Sequence, residues 1–176
     1  KETVSLMRRR TIETHAAFIL PWIKEDMSIL DVGCGPGTIT LGFGKRLSNG
    51  MVLGLDQNAE QVEIARSAAR EQNLDNSRFE VANAREFSLD QTFDLIFSHA
   101  LFEHLEDPLG VLQNFRQHMR PGGLIALRSP DWGGWVLHPE TSEIRDALDW
   151  YEARQRQNGG DTHAGRKLAS WMRKTG

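Results

Sequence analysis

The amino-acid sequence predicts an α/β fold built on a doubly wound, mostly parallel sheet with helices on both faces. Short apolar segments alternate with helical patterns along the chain, and parallel strands need crossover helices between them. Glycines and polar residues collect where the predicted strands end, which is where such sheets bind their ligands. A chain of 176 residues suffices for a sizeable core. We therefore expect a single domain over residues 1–176.

Five strands are predicted from short apolar runs that end near glycine, aspartate or other polar residues. These runs cover residues 28–32, 51–55, 78–81, 93–98 and 124–128. Because parallel strands end at one edge of a sheet, we expect the polar residues that follow them to line a common site.

Helices are predicted between the strands from apolar periodicity and from capping residues. Asn58 is a typical N-cap, and Gln61 follows it at capping-box spacing. Asp107 and Pro108 give a cap and a favoured first helical residue. Pro21 should end or bend the first helix. The predicted helices cover residues 11–24, 36–47, 58–72, 108–119, 140–157 and 164–173.

Composition and charge exclude several classes of function. The formal net charge is -3 and the pI is about 6.1, which argues against a dedicated binder of nucleic acid or anionic membranes. We expect no membrane span and no secretory signal, since no apolar run approaches roughly 20 residues. The single cysteine, Cys34, cannot form an internal disulfide, so we expect a reduced, cytoplasmic protein. No His/Cys/Asp cluster has metal-ligand spacing, so we expect no metal.

The segment ILDVGCGPG, residues 29–37, places three glycines at every second position after the first strand. One interpretation is a tight connection between strand and helix; the other is a loop whose backbone a nucleotide-type ligand can approach closely. Asp56 ends the second strand at about the spacing where an acidic residue accepts hydrogen bonds from ribose hydroxyls. The spacing G-x-G-x-G differs from the dinucleotide pattern, and the lysine of a P-loop is missing.

The glycine loop and Asp56 occur in a chain that resembles a class I S-adenosylmethionine (SAM) dependent methyltransferase. The resemblance rests on five segments in the family's order: ILDVGCGPGTIT, VLGLDQNAEQVEIA, FEVANAREF, FDLIFSHALFEHLEDP and RPGGLIAL. Within the class the chain most resembles the small-molecule group typified by ubiquinone/menaquinone biosynthesis methyltransferases. The resemblance implies a cofactor-covering N-terminal helix over residues 1–27, a SAM-binding core over 28–128 and a substrate-side region over 129–176.

The family resemblance also implies the residues that contact SAM. The methionine end would be held by Asp31 and by the backbone of the loop residues Gly33, Cys34, Gly35 and Gly37. The ribose hydroxyls would be bound by Asp56, with Gln57 beside the adenine.

Two further strand ends complete the cofactor site that the resemblance implies. Asn83 and Ala84 stand where the family has an aspartate-alanine pair that contacts the adenine amino group, and an amide oxygen can accept the same hydrogen bond. Ser98 and His99 would lie near the sulfonium. The family's sheet has seven strands, whereas five are predicted here, so we expect either a truncated chain or a sheet that stops short.

The expected reaction is in-line methyl transfer to a small-molecule acceptor, with S-adenosylhomocysteine (SAH) as the second product. A base is required only where the acceptor must lose a proton, and histidine is the natural base at neutral pH. We expect His99 or His104 to serve, with Asp131 and the more distant His138 as weaker candidates.

The segment SPDWGGWVLHP, residues 129–139, offers a candidate wall for the acceptor. Trp132 and Trp135 flank two glycines and would form a flexible apolar surface for an aromatic or lipid-like molecule; the alternative is that they cover the core. Two other functions stay open, namely a non-catalytic or truncated SAM-binding module and an NAD-dependent oxidoreductase. The sequence leaves open the acceptor, the atom methylated and the oligomeric state.

Overall fold

A computed structural model describes residues 9–176 and divides the chain into two compact units. The first unit comprises the residues up to His99 together with Gln113–Leu127, and the second comprises Ala100–Leu112 and Arg128–Gly176. Residues 1–8, which belong to the predicted cofactor-covering segment, lie outside the described residues. The predicted subdivision at residues 27 and 128 therefore stays a prediction.

The sheet has five strands in the order β3-β2-β1-β4-β5, and the pairings of β1 with β2, β1 with β4 and β2 with β3 are parallel. The central strand β1 runs between β2 and β4, so its residues are covered on both edges. The α/β fold and the five predicted strands are confirmed. The strands are β1 (Ser28–Val32), β2 (Met51–Asp56), β3 (Ser77–Val81), β4 (Phe93–His99) and β5 (Met119–Arg128).

Apolar side chains on neighbouring strands form the core of the first unit. Ile29 of β1 lies beside Val52 of β2 and Leu95 of β4, and all three are at most 1% exposed. A second buried cluster joins Cys34 and Phe79 to the helix that follows β2. Strands that are buried on both faces have nearly continuous apolar sequences. The bounds of these strands could therefore be predicted closely from the sequence.

The described residues contain six α-helices, and two of them begin at the capping residues that the sequence predicts. The side chain of Asn58 accepts hydrogen bonds from the Glu60 and Gln61 N–H groups, as predicted. The Asp107 carboxylate accepts from the Gly110 N–H at 2.9 Å. Among these helices none is long and apolar enough to cross a membrane. The helices are α1 (Ile12–His15), α2 (Thr38–Gly44), α3 (Ala59–Glu71), α4 (Pro108–Gln117), α5 (Ser142–Gln157) and α6 (Ala164–Thr175).

The structure corrects two predicted elements. The single helix predicted over residues 11–24 is a one-turn helix α1 that ends at His15, followed by a 3-10 turn at Leu20–Trp22 whose first positions include Pro21. Ile12 and Ala16 still bury their side chains, so the apolar pattern reports packing correctly although the helix is interrupted. Strand β5 begins at Met119, so it includes residues 120–123, which lie between the predicted helix over 108–119 and the predicted strand over 124–128.

Asp94 ties the amino end of β4 to its neighbours. Its carboxylate accepts hydrogen bonds from the Ser28 N–H at 2.7 Å and from the Arg120 guanidinium at 2.8 Å. Partial burial raises the pKa of Asp94, but these hydrogen bonds outweigh it and hold the pKa below the usual value. This contact lies at the opposite end of β4 from His99.

Gly37→Ala should destabilise the fold more than Gly122→Ala. Both glycines have φ of 78°, so alanine is strained by about 1–2 kcal/mol at either position. A Cβ at Gly37 would lie 2.7 Å from the Ala65 Cβ, whereas a Cβ at Gly122 would meet nothing within 4 Å. Overpacking should therefore add about 1–3 kcal/mol at Gly37 alone. Urea unfolding measures the difference, and equal losses would contradict it.

Candidate functional site

The glycine loop after β1 is held against the end of β2 by its own backbone. Gly33, Gly35 and Gly37 have φ of 78°, 52° and 78°, a region that residues with a Cβ rarely adopt. The N–H groups of Gly33 and Cys34 both donate to the Leu55 carbonyl, at 2.8 and 3.0 Å. The loop therefore has one fixed conformation that only glycine permits at these positions.

Asp56 connects the glycine loop to the start of α3. One carboxylate oxygen, Oδ2, accepts a hydrogen bond from the Gly35 N–H at 2.8 Å. The other, Oδ1, accepts from the Asn58 N–H at 2.9 Å. A carboxylate has about four acceptor sites, so Asp56 can accept further hydrogen bonds from a ligand while it keeps both of these.

Asp31 is buried beneath the loop, with 2% of its surface exposed, and the Thr40 hydroxyl donates to its carboxyl group at 2.6 Å. Burial raises the pKa of Asp31 to about 7, the Thr40 hydrogen bond opposes this, and the negative charge of Asp56 adds to it. Burial likewise raises the pKa of the Cys34 thiol, which stays protonated and packs in the core. Neither side chain is exposed at the surface of the loop.

The predicted adenine contacts lie next to Asp56. The Ala82 N–H donates to the Asp56 carbonyl at 3.0 Å, which fixes the end of β3 beside the end of β2. Asn83 is exposed, and its side-chain oxygen accepts from the Arg85 N–H at 3.0 Å. Ala84 is half-buried, and Gln57 is exposed at the turn before α3. The first unit thus brings the ends of β1, β2 and β3 together, as the sequence predicts.

Ser98 and His99, at the end of β4, have different environments. The Ser98 hydroxyl is buried and donates to the Val32 carbonyl at 2.8 Å, so its side chain ties β4 to β1. The His99 ring makes an edge-to-face contact with the His15 ring, with centroids 5.0 Å apart. His15 also lies within hydrogen-bonding distance, 2.6 Å, of the Thr14 hydroxyl. Sequence reasoning missed His15, because no spacing links it to His99.

His104 belongs to the second unit. Its Nδ1 lies 3.3 Å from the Gln155 side-chain oxygen, and its Nε2 lies 3.8 Å from a carboxylate oxygen of Glu103. Glu103 is buried, and its other oxygen accepts from the Ser129 hydroxyl at 2.8 Å. The Glu103 carboxylate is beyond hydrogen-bonding distance of His104, so the Gln155 side chain is the polar group that contacts the His104 ring, half of which is exposed.

Asp131, the other predicted base of the second unit, is paired with Arg166. The Arg166 Nε donates to the Asp131 carboxylate at 2.7 Å. This hydrogen bond lowers the pKa of Asp131 and raises that of Arg166. A carboxylate in such a pair is a weaker base, which leaves His104 as the better candidate of the two.

Trp132 and Trp135 stack on each other in the loop after β5. Their ring centroids are 4.3 Å apart, and Trp132 also stacks on Tyr151 of α5 at 4.2 Å. Trp135 remains 50% exposed. Within residues 9–176, no group of three or more His, Cys, Asp or Glu residues is arranged to hold a metal ion.

A family model described as a methyltransferase domain matches residues 23–175. The chain belongs to the methyltransferase domain family. An uncharacterised methyltransferase of Schizosaccharomyces pombe is 33% identical to this methyltransferase domain over 169 residues, which cover 92% of the chain and 60% of the relative. The predicted class I SAM-dependent methyltransferase family is thereby confirmed.

Solved structures agree with this family. A coclaurine N-methyltransferase bound to N-methylheliamine and SAH is 26% identical, with a TM-score of 0.63 over 67% of this chain and 35% of that one. A phosphoethanolamine N-methyltransferase of Haemonchus contortus, in complex with SAM, has a TM-score of 0.74 over 93% of this chain and 36% of that one. At 18% identity the latter shows the fold alone. The methyltransferase domain spans 60%, 48% and 35% of the length of three curated relatives.

Asp31→Asn should change how stability depends on pH. The pKa of Asp31 in the folded state, about 7, is above the unfolded value of 3.8. The stability contributed by the neutral carboxyl is therefore fully present below about pH 4 and is lost as the pH rises through about 7. From about pH 5 to about pH 8 the wild type should lose a few kcal/mol relative to Asp31→Asn.

Urea unfolding at these two pH values measures that loss. Asp26→Asn, at an exposed aspartate, is the matched control and should follow the wild type. Parallel stability curves for the wild type and Asp31→Asn would contradict the raised pKa.

Proposed function

We propose that this chain binds SAM at the glycine loop and transfers its methyl group to a small-molecule acceptor. The observation that carries the proposal is the Asp56 carboxylate, which holds Gly35 and Asn58 and keeps acceptor sites for two ribose hydroxyls. When bound, the cofactor supplies an activated methyl group on a sulfonium, so the protein need not supply a nucleophile. The contribution of the chain is to position the reactants and exclude water.

The residues present fit such a cofactor. Gly33 and Gly35 have positive φ angles, which glycine adopts readily. Because glycine has no side chain, a ligand can approach the loop backbone closely at both positions. Asn83 can accept from an adenine amino group with the second lone pair of its amide oxygen, while the Arg85 N–H occupies the first. Because the Ser98 hydroxyl is bonded to Val32, a cofactor contact by Ser98 would involve its backbone.

Two histidines are proposed to accept a proton from an acceptor that must lose one. The His99 ring packs edge-to-face against the His15 ring. His104 lies between Gln155 and the buried Glu103. The finer resemblance to the ubiquinone/menaquinone group, and with it an aromatic or lipid-like acceptor, also belongs to this proposal. A cytoplasmic location remains a prediction from the sequence.

A non-catalytic or truncated SAM-binding module is the second candidate. Turnover of an acceptor separates this candidate from the enzyme. The NAD-dependent alternative is disfavoured, because the loop has the spacing G-x-G-x-G and the family is that of methyltransferases.

Asp56→Ala should weaken SAH binding by about 30-fold or more, since roughly 2 kcal/mol of hydrogen bonding to ribose and loop is lost. Calorimetric titration measures the affinity. Asp94→Ala is the matched control, because Asp94 ties strands together at the opposite end of β4. It should bind SAH within about twofold of the wild type. Equal weakening of SAH binding in both variants would contradict the proposed role of Asp56 in binding the ribose.

The double variant His99→Gln/His104→Gln should lower kcat by about 100-fold at saturating SAM, for an acceptor that must be deprotonated. Turnover is measured with quinol, phenol and amine acceptors. Asp75→Asn changes an exposed titratable side chain and should leave turnover unchanged. A double variant with wild-type kcat would show that neither histidine is the base, while SAH binding would stand as a separate result.

A further inference from the structure

Three aromatic rings of the second unit form a continuous stack, which we call the aromatic stack. Trp132 lies in the middle, with its ring 22° from the plane of Trp135 and 24° from that of Tyr151. Trp135 is the outer member and is 50% exposed, while the adjacent Val136 is 95% exposed. Because the Trp135 ring ends the stack and is partly exposed to water, it offers an apolar, planar surface to a ligand.

The loop that carries the aromatic stack is fixed rather than flexible, which differs from the sequence-based expectation. The Trp132 N–H donates to the Thr162 carbonyl at 3.0 Å, and the Gly165 N–H donates to the Pro130 carbonyl at 3.0 Å. A Cβ at Gly133 would lie 2.5 Å from the His163 Nε2, so this glycine allows the loop to pack closely against α6. The rings are therefore positioned before any ligand arrives.

The charged groups of the same segment are paired with each other. Asp131 is bonded to Arg166, and Glu140 forms an ion pair with Arg145. Because both carboxylates are already bonded to arginines, the feature left for a ligand beside Trp135 is the indole ring itself, which can stack on a planar ring. A ring stacked on an indole gains about 0.5–1.5 kcal/mol beyond the burial of its area.

We propose that the aromatic stack binds a planar ring of the methyl acceptor at Trp135, its half-exposed outer member. The role as an acceptor site rests on the proposed methyltransferase function; the binding of an aromatic ring does not. The substrate class is therefore an arene that carries the group to be methylated.

The test uses the full chain and a probe of defined shape. The probe is 2-naphthol, and decahydro-2-naphthol is its saturated control with the same hydroxyl group. The indole N–H cross-peaks of the five tryptophans are followed by NMR during titration. We expect the Trp132 and Trp135 peaks to shift with 2-naphthol, and the saturated analogue to bind several-fold more weakly.

Trp135→Leu should weaken 2-naphthol binding by about tenfold, since the stacking partner is lost. Trp150→Leu is the matched control, because Trp150 is 69% exposed and lies on α5 about 100° around the helix axis from its neighbour Tyr151. That variant should bind within about twofold of the wild type. Trp135→Phe keeps a ring and should recover most of the affinity, which separates stacking from a general loss of structure.

Several results would overturn the proposal. They are the absence of binding, equal binding of the saturated analogue, shifts at Trp150 instead of Trp135, or wild-type affinity in Trp135→Leu. Self-association that Trp135→Leu abolishes, together with unchanged Trp135 peaks on adding the probe, would assign the face to a second copy of the chain. Titration with SAH reads the cofactor site separately, so a failed cofactor site and a failed aromatic stack are distinguishable.

Discussion

The carboxylate of Asp56 is the contact on which the candidate cofactor site depends. It joins a backbone N–H of the glycine loop to a backbone N–H at the start of α3, so two connections that follow different strands share one anion. The parallel register makes this possible, because Val32, the last residue of β1, is paired with Leu55, the residue before Asp56. A ligand that bonds to Asp56 therefore meets a site whose backbone is already in place, which lowers the entropy lost on binding.

Two residues at the glycine loop, Asp31 and Gly37, constrain the stability of the fold. The buried Asp31 carboxyl destabilises the fold when it ionises, and the negative charge of Asp56 increases that effect. Thr40 offsets part of it with a hydrogen bond of 2.6 Å. The tightly packed Gly37 adds a further restriction, since any side chain there would overlap Ala65 and Phe79.

The sequence predicts the parts of the fold whose signal is local. Strands β1 and β2 have long buried runs, and Asn58 caps its helix with the hydrogen bonds that its position indicates. The first helix was predicted too long, since apolar spacing reports burial and not helix continuity. The His15–His99 contact and the place of Tyr151 in the aromatic stack depend on tertiary packing between distant segments, which no spacing encodes. The same holds for the neutralisation of Asp131 by Arg166.

A two-dimensional ¹H–¹⁵N NMR titration of the whole chain with SAH, followed by one with NADH, tests the cofactor site at the glycine loop. We predict that SAH shifts the backbone amides of Gly33, Gly35 and Asn58, and that NADH leaves them unchanged. Shifts with NADH, or shifts with SAH that avoid these amides, would contradict a SAM site at the glycine loop.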